Sequence, residues 1–163
     1  MEFTVRPYQK GEEEYVADAH RRIYSEEYRW GDAFTRYAVK VAMDFAEKEK
    51  TDREELWIAE ADGKPVGSVM LCETDDPRVG QLRLFLVEKE YRRRGIGGAL
   101  LKALMEKVRE AKYEELLLWT ASPLTPAIRH YERLGFHAVE EKENNDWSLD
   151  GEPVTEVKMV MTL

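Results

Sequence analysis

The chain has 163 residues, with 25 Lys and Arg against 33 Asp and Glu, and a formal net charge of −8. That length fits one domain over residues 1–163, and 43% hydrophobic residues suffice for a core without disulfide or metal staples. The acidic balance argues against nucleic acid or an anionic membrane as the main partner, and a single cysteine excludes an intramolecular disulfide and fits a reducing cytoplasm.

MEFTVRPYQK has no apolar signal-like core, and no run reaches membrane-spanning length. Phe3 to Arg6 reads as a short strand stopped by Pro7. Gly11 to Tyr28 predicts a helix, with Tyr15, Val16, Ala19, Ile23 and Tyr24 on one face and Glu12, Glu13 and Glu14 in the first turn. Arg29-Trp30-Gly31-Asp32 breaks it. A second helix runs to about Lys48, with Phe34, Tyr37, Ala38, Val41 and Phe45 inward. Glu55 to Ala61 and Pro65 to Leu71 read as strands joined by an Asp62-Gly63 hairpin turn. Cys72 falls at the end of the second of these and reads as a buried structural thiol rather than a nucleophile. Asp75-Asp76-Pro77 ends the hairpin.

The next stretch, from Gln81 to Ala111, organises the chain. Leu82, Leu84 and Leu86 alternate, and Phe85 and Val87 fill the other side, which predicts a strand buried on both faces. Leu100, Leu101, Leu104, Met105 and Val108 then mark one face of a helix. Between them Gly95, Gly97 and Gly98 read as residues of a tight turn. Bare N–H groups at a helix start, with Arg92, Arg93 and Arg94 alongside, make a site for phosphate. That basic run opposes the sign of the whole chain. A Walker A loop needs Gly-Lys-Ser/Thr, but Gly98 and Ala99 follow Gly97. A dinucleotide fingerprint needs a third glycine, where Leu100 stands.

Leu116 to Thr120 reads as a buried strand. Ala127, Ile128, Tyr131 and Leu134 then define a short helix that Gly135 ends, and Phe136 starts another strand. Asn144-Asn145-Asp146 marks a loop, and Val154 to Thr162 is the last strand. The pattern predicts an α/β fold: a mixed, mostly antiparallel central sheet of about seven strands with helices on both faces.

Two motifs carry a family resemblance. Arg92-x-x-Gly95-x-Gly97 sits between a buried strand and a helix, and Ala127-x-x-x-Tyr131-x-x-x-Gly135-Phe136 lies downstream. Together they resemble the GNAT superfamily of N-acetyltransferases, from about Phe3 to the end of the chain. RIYSEEYRW, LWIAEADGKPVGSV, LRLFLVEKEYRRRGIG and LLLWTASPLTPAIRHYERLGF look especially like the acetyltransferase half of MarR-type regulator–acetyltransferase fusions. No helix-turn-helix half accompanies them, so no DNA binding is expected.

The resemblance implies acetyl-CoA as co-substrate and an amine as acceptor. Backbone amides of Arg93, Arg94, Gly95, Ile96, Gly97, Gly98 and Ala99, beside Arg92, would hold the pyrophosphate. Leu86 and Val87 would pair with the pantetheine arm and polarise the thioester carbonyl. Thr125 and Ala127 fall in the downstream motif, and Tyr131 matches the tyrosine that donates to the departing thiolate. On spacing alone Tyr131 reads first as a core aromatic on an amphipathic helix, and the whole motif reverses that. A homodimer through the C-terminal strands is typical of the resemblance.

Two positions depart from the pattern. Leu124 stands where relatives often have Asn, with Ser122 and Thr125 as substitutes. Gln81 stands where many have Glu, and an amide accepts no proton. An amine with a pKa near 10 costs roughly 4 kcal/mol to deprotonate at neutral pH, so a base or water chain is useful. Glu26, Glu27, Asp32, Glu73 and Asp75 are candidates, each read first as a solvated surface acid, and none is assigned. Tyr24, Tyr28, Trp30 and Trp119 read either as an acceptor pocket or as core. His20, His130 and His137 show no metal-ligand spacing with one another or with Cys72, so no metal is expected. The competing function is a non-catalytic acyl-CoA-binding or sensing module.

Overall fold

The computed structural model describes residues 2–163. In chain order the elements are β1 (Phe3–Pro7), α1 (Glu13–Tyr28), α2 (Asp32–Glu47), β2 (Glu55–Ala61), β3 (Lys64–Glu73), β4 (Val79–Val87), α3 (Ile96–Ala111), β5 (Glu115–Ala121), α4 (Thr125–Leu134), β6 (His137–Asn144) and β7 (Val154–Thr162). A single 3₁₀ turn, Lys89–Tyr91, lies between β4 and α3. Periodicity gives no sign of it, because three residues are too few to show a period.

The strands form one seven-stranded sheet in the order β1-β2-β3-β4-β5-β7-β6. Every neighbouring pair is antiparallel except β4 and β5. This is the mixed, mostly antiparallel sheet that the pattern of elements implied. β2 shows why both faces need cover. Its alternate residues Leu56 and Ile58 pack with Val16 of α1 and with Ala42 and Phe45 of α2. Trp57, Ala59 and Ala61 turn the other way, to the core that includes Leu100, Leu104 and Val108 of α3. Leu56, Ile58, Leu100 and Leu104 are fully buried. Each contributes on the order of 1.5–3 kcal/mol by leaving water.

β4 departs from the simple alternation. Opposite Ser68 and Met70 of β3 stand Leu86 and Arg83, so β4 carries one extra residue there. Leu84 has φ +51°, and its carbonyl accepts from the Ser68 hydroxyl at 2.8 Å. This bulge reverses the phase of the strand. Leu82 joins the α3 core, whereas Leu86 packs with Ala19 and Ile23 of α1. Phe85 and Val87 lie on the same side as Leu82. Leu84 is only half-buried. The three leucines therefore do not share a face.

The glycine run also differs from expectation. Only Gly95 sits at a positive φ, +85°, as the residue before α3. Gly97 and Gly98 already belong to the helix. A Cβ on Gly97 would lie 3.3 Å from both His130 Nε2 and Phe85 Cζ, so this glycine answers to close approach rather than to a turn.

Candidate active site

β4 and β5 pair only through Val79–Gln81 and Glu115–Leu117. β5 then stays with β7 as far as Ala121, while β4 bulges at Leu84 and leaves. The strands diverge into a wedge that opens on two cavities. One of about 510 Å³ runs under the turn before α3, and one of about 390 Å³ lies over the aromatic ends of α1 and α2. They share Tyr24, Phe85, Leu124 and Ala127.

The larger cavity is walled by Leu86, Val87, Arg92, Arg93 and Gly97, with His130 and Arg133 opposite on α4. Among the described residues no carboxylate lines it. Arg92 does not offer its guanidinium to the cavity in the way its sequence position implied. Both of its terminal nitrogens donate to Glu27, at 2.7 and 2.8 Å, and its Nε donates to the Val87 carbonyl at 3.0 Å. It fastens the turn to the end of α1. Arg93 is exposed, at φ +63°, and Arg94 stands 5.7 Å from the centre of the Tyr91 ring. Ile96 is a core residue. Arg94, Gly95, Gly98, Ala99 and Thr125 lie outside the lining, and the Thr125 hydroxyl donates to the Pro123 carbonyl at 3.3 Å. The first intrahelical bond of α3 runs from Ala99 N–H to Gly95 O, which leaves the preceding N–H groups of the first turn without helical partners. Burial, then the charge of Arg133, lowers the His130 pKa, so its ring carries no charge at neutral pH.

Tyr131 is buried on the wall of the smaller cavity, its ring 5.8 Å from Phe85, which both cavities share, and 6.0 Å from Phe136. Its hydroxyl has no hydrogen-bond partner among the described residues. Burial, and secondarily Tyr24, pushes its pKa well above the ordinary phenol value. The group is a proton donor at neutral pH.

Tyr24, Trp30 and Trp119 line the smaller cavity, and Tyr28 lines the larger one. Tyr24 and Trp30 stack within 7° of parallel, at 5.3 Å, and Phe34 and Trp147 close the group. Trp119 stands apart from the stack, under Lys142 at 4.7 Å. None of Glu26, Glu27, Asp32, Glu73 and Asp75 lines either cavity. Glu27 belongs to Arg92, and Glu73 lies 3.7 Å from Arg53. Leu124 faces both cavities with an apolar side chain, and Gln81 lines the smaller one.

Sequence reasoning missed His20, Arg83, Lys142, Glu156 and Trp147, all of which line the smaller cavity. His20 is buried, and its Nδ1 lies 2.7 Å from the Val16 carbonyl, which can only accept. Nδ1 therefore carries the proton and Nε2 is bare. Burial pushes its pKa down to about 4. A lone tryptophan in a polar loop was the available signal for Trp147. Asn144 accepts from the Asp146 and Trp147 N–H groups at 2.8 and 3.1 Å, and this turn aims the indole inward. Burial pushes the Cys72 thiol up to about 11, so it is an inert core group. Among the described residues no cluster of His, Cys, Asp and Glu has metal-binding geometry, and no helix is long and apolar enough to cross a membrane.

The sequence profile of the Acetyltransferase (GNAT) family matches residues 15–136, which take in the wedge, the whole lining of the larger cavity and that of the smaller one except Lys142, Trp147 and Glu156. The chain belongs to the GNAT family. Among curated relatives, this GNAT chain is 36% identical to human N-acetyltransferase 8 over 85 residues, covering 50% of this chain and 37% of that protein. It is 32% identical to human N-acetyltransferase 8B over 112 residues, covering 63% and 49%. The chain thus spans half or less of the length of these curated relatives. The structure of a GNAT acetyltransferase from Staphylococcus aureus superposes with a TM-score of 0.78 at 18% identity, over 99% of each chain. The ribosomal-protein-S18-alanine N-acetyltransferase of Escherichia coli superposes at 0.73 and 20% identity, over 99% of this chain and 94% of that one.

Proposed function

We propose that this GNAT chain transfers an acetyl group from acetyl-CoA to an amine by direct attack. The observation that carries the reading is the junction of the two cavities. Beside it, on the wall of the smaller cavity, stands a protonated Tyr131 hydroxyl with no hydrogen-bond partner among the described residues, its ring 5.8 Å from Phe85, which both cavities share. The larger cavity takes the acetyl-CoA arm. The bare amides of the first turn of α3, together with the exposed Arg93, hold the pyrophosphate. The strand end at Leu86 and Val87 takes the pantetheine, with Val87 contributing its N–H, since its carbonyl is already bound to Arg92. The smaller cavity takes the acceptor.

The amine lone pair attacks the thioester carbonyl carbon, the C–S bond breaks, and Tyr131 gives its proton to the departing thiolate. The amine nitrogen loses a proton in forming the amide, and that proton restores the phenol through water. His20 Nε2 and Glu156 are the lining groups able to accept it on the way. The cytoplasm is the compartment we assign, given a lone reduced thiol buried in the core. A purely acyl-CoA-sensing module gives Tyr131 no task. Release of free CoA thiol, followed across a broad panel of amines, tests the reading. Turnover with at least one amine is expected, and background rates throughout would overturn it.

A further inference from the structure

Five arginines are partly buried: Arg6, Arg22, Arg53, Arg83 and Arg92. Four of them have a carboxylate within 4 Å, namely Glu12 and Glu60 for Arg6, Glu88 for Arg22, Glu73 for Arg53 and Glu27 for Arg92. Arg83 has none among the described residues. Its side-chain partners carry no carboxylate: Nη2 donates to the Tyr37 hydroxyl at 3.2 Å, the Cys72 thiol lies beside the guanidinium, and the buried Nε has no hydrogen-bond partner among the described residues. A guanidinium withdrawn from water without a counter-ion is unfavourable unless something else supplies the charge. Arg83 stands on the wall of the smaller cavity. The other ionic side chains of that wall are Lys142, which lies over Trp119, and Glu156, which accepts from Asn144 at 3.1 Å. His20 is neutral above about pH 4. The wall therefore carries one positive charge in excess, inside a protein whose net charge is −8.

Another part of the same wall is chemically different. Tyr24, Phe85 and Tyr131 line it, with Phe85 5.8 Å from Tyr131, and they present rings and phenols with no fixed cation. An amine is not repelled there, and an anion is drawn to Arg83. We propose that the acceptor is a small amine that also carries a carboxylate, and that Arg83 holds that carboxylate while the amine lies beside Tyr131. This rests on the acetyl-transfer reading given above. A guanidinium with free N–H groups suits the planar carboxylate better than an ammonium would. A cavity of about 390 Å³ is of the size that takes a small molecule, and Trp119 and Phe34 suit an apolar or aromatic side chain on it.

Matched pairs test the inference: phenylalanine against phenethylamine, and tryptophan against tryptamine, assayed by CoA release with the native protein and with Arg83→Gln. The native protein is expected to favour the carboxylate member of each pair by roughly 10- to 100-fold in kcat/KM, the scale of one charge-assisted hydrogen bond. Arg83→Gln is expected to abolish that preference and leave the decarboxylated amines little changed. Equal use of both members, or preference for the decarboxylated one, overturns the proposal without needing the variant. A variant that loses both members equally marks Arg83 as structural and also overturns it. If no amine turns over, the amino acids are titrated calorimetrically onto the native protein and the variant, with and without CoA. Binding that depends on Arg83 sustains the inference while the transfer reading falls, and absence of such binding ends both.

Discussion

The two cavities that meet at Phe85 are built in opposite ways. The larger takes Phe85, Leu86, Val87, Arg92, Arg93 and Gly97 from a single stretch of chain, β4 through the first turn of α3, whose backbone amides the proposed reading gives to the cofactor. The smaller gathers side chains from α1, α2, β4, β5, α4, β6, β7 and the loops before α4 and β7. A backbone site tolerates change in side chains and recognises what is common to all acyl donors. A site of converging side chains is tuned residue by residue, so it is the place where one acceptor is told from another.

Substitutions can separate the two regions. Tyr131→Phe, beside their junction, is expected to lower kcat by on the order of 100-fold while leaving acetyl-CoA affinity unchanged, since general acids contribute on that scale. Steady-state kinetics beside a cofactor titration reads this, and equal loss in both would make Tyr131 a core aromatic. Because its phenol titrates above the usual value, the native rate is expected to show no falling limb through pH 10.

His20 sharpens the acceptor side through stability. Its pKa falls from 6.5 to about 4 on folding, so below pH 6.5 the unfolded ring takes up a proton that the folded one refuses. Stability is present above that pH and is lost as pH falls towards 4, by up to about 3 kcal/mol. Denaturant melts at several pH values should show this slope, and His20→Gln should flatten it.

Gly97→Val pushes methyl groups at His130 and Phe85 and is expected to weaken acetyl-CoA binding roughly tenfold, with the acceptor KM unmoved. Trp147→Ala is the reverse case. It should raise the acceptor KM by about threefold to tenfold through lost ring contact and leave the cofactor alone. If either variant moved both constants together, the division into two regions would fail.

The same contrast explains what could be read in advance. The strand, the turn, α3 and the α4 motif are local in sequence, so periodicity and spacing revealed them, along with the seven-stranded mixed sheet. The bulge at Leu84 was hidden, because an extra residue in β4 leaves no mark on a run of leucines and phenylalanine. The bond from Arg92 to Glu27 was hidden as well, since 65 residues separate the partners. Tyr24, Trp30 and Trp119 were readable as pocket candidates because they are large and unusual. Arg83, Glu156 and Lys142 were not, because their importance lies in who their neighbours are. An arginine becomes informative only when the structure shows that no carboxylate answers it.

The most direct test of the account is a calorimetric titration with acetyl-CoA, with ATP as the comparison ligand. The account predicts one site per chain for acetyl-CoA, weakened by Gly97→Val, and negligible heat from ATP. Equal binding of the two, or no binding of acetyl-CoA, would contradict it.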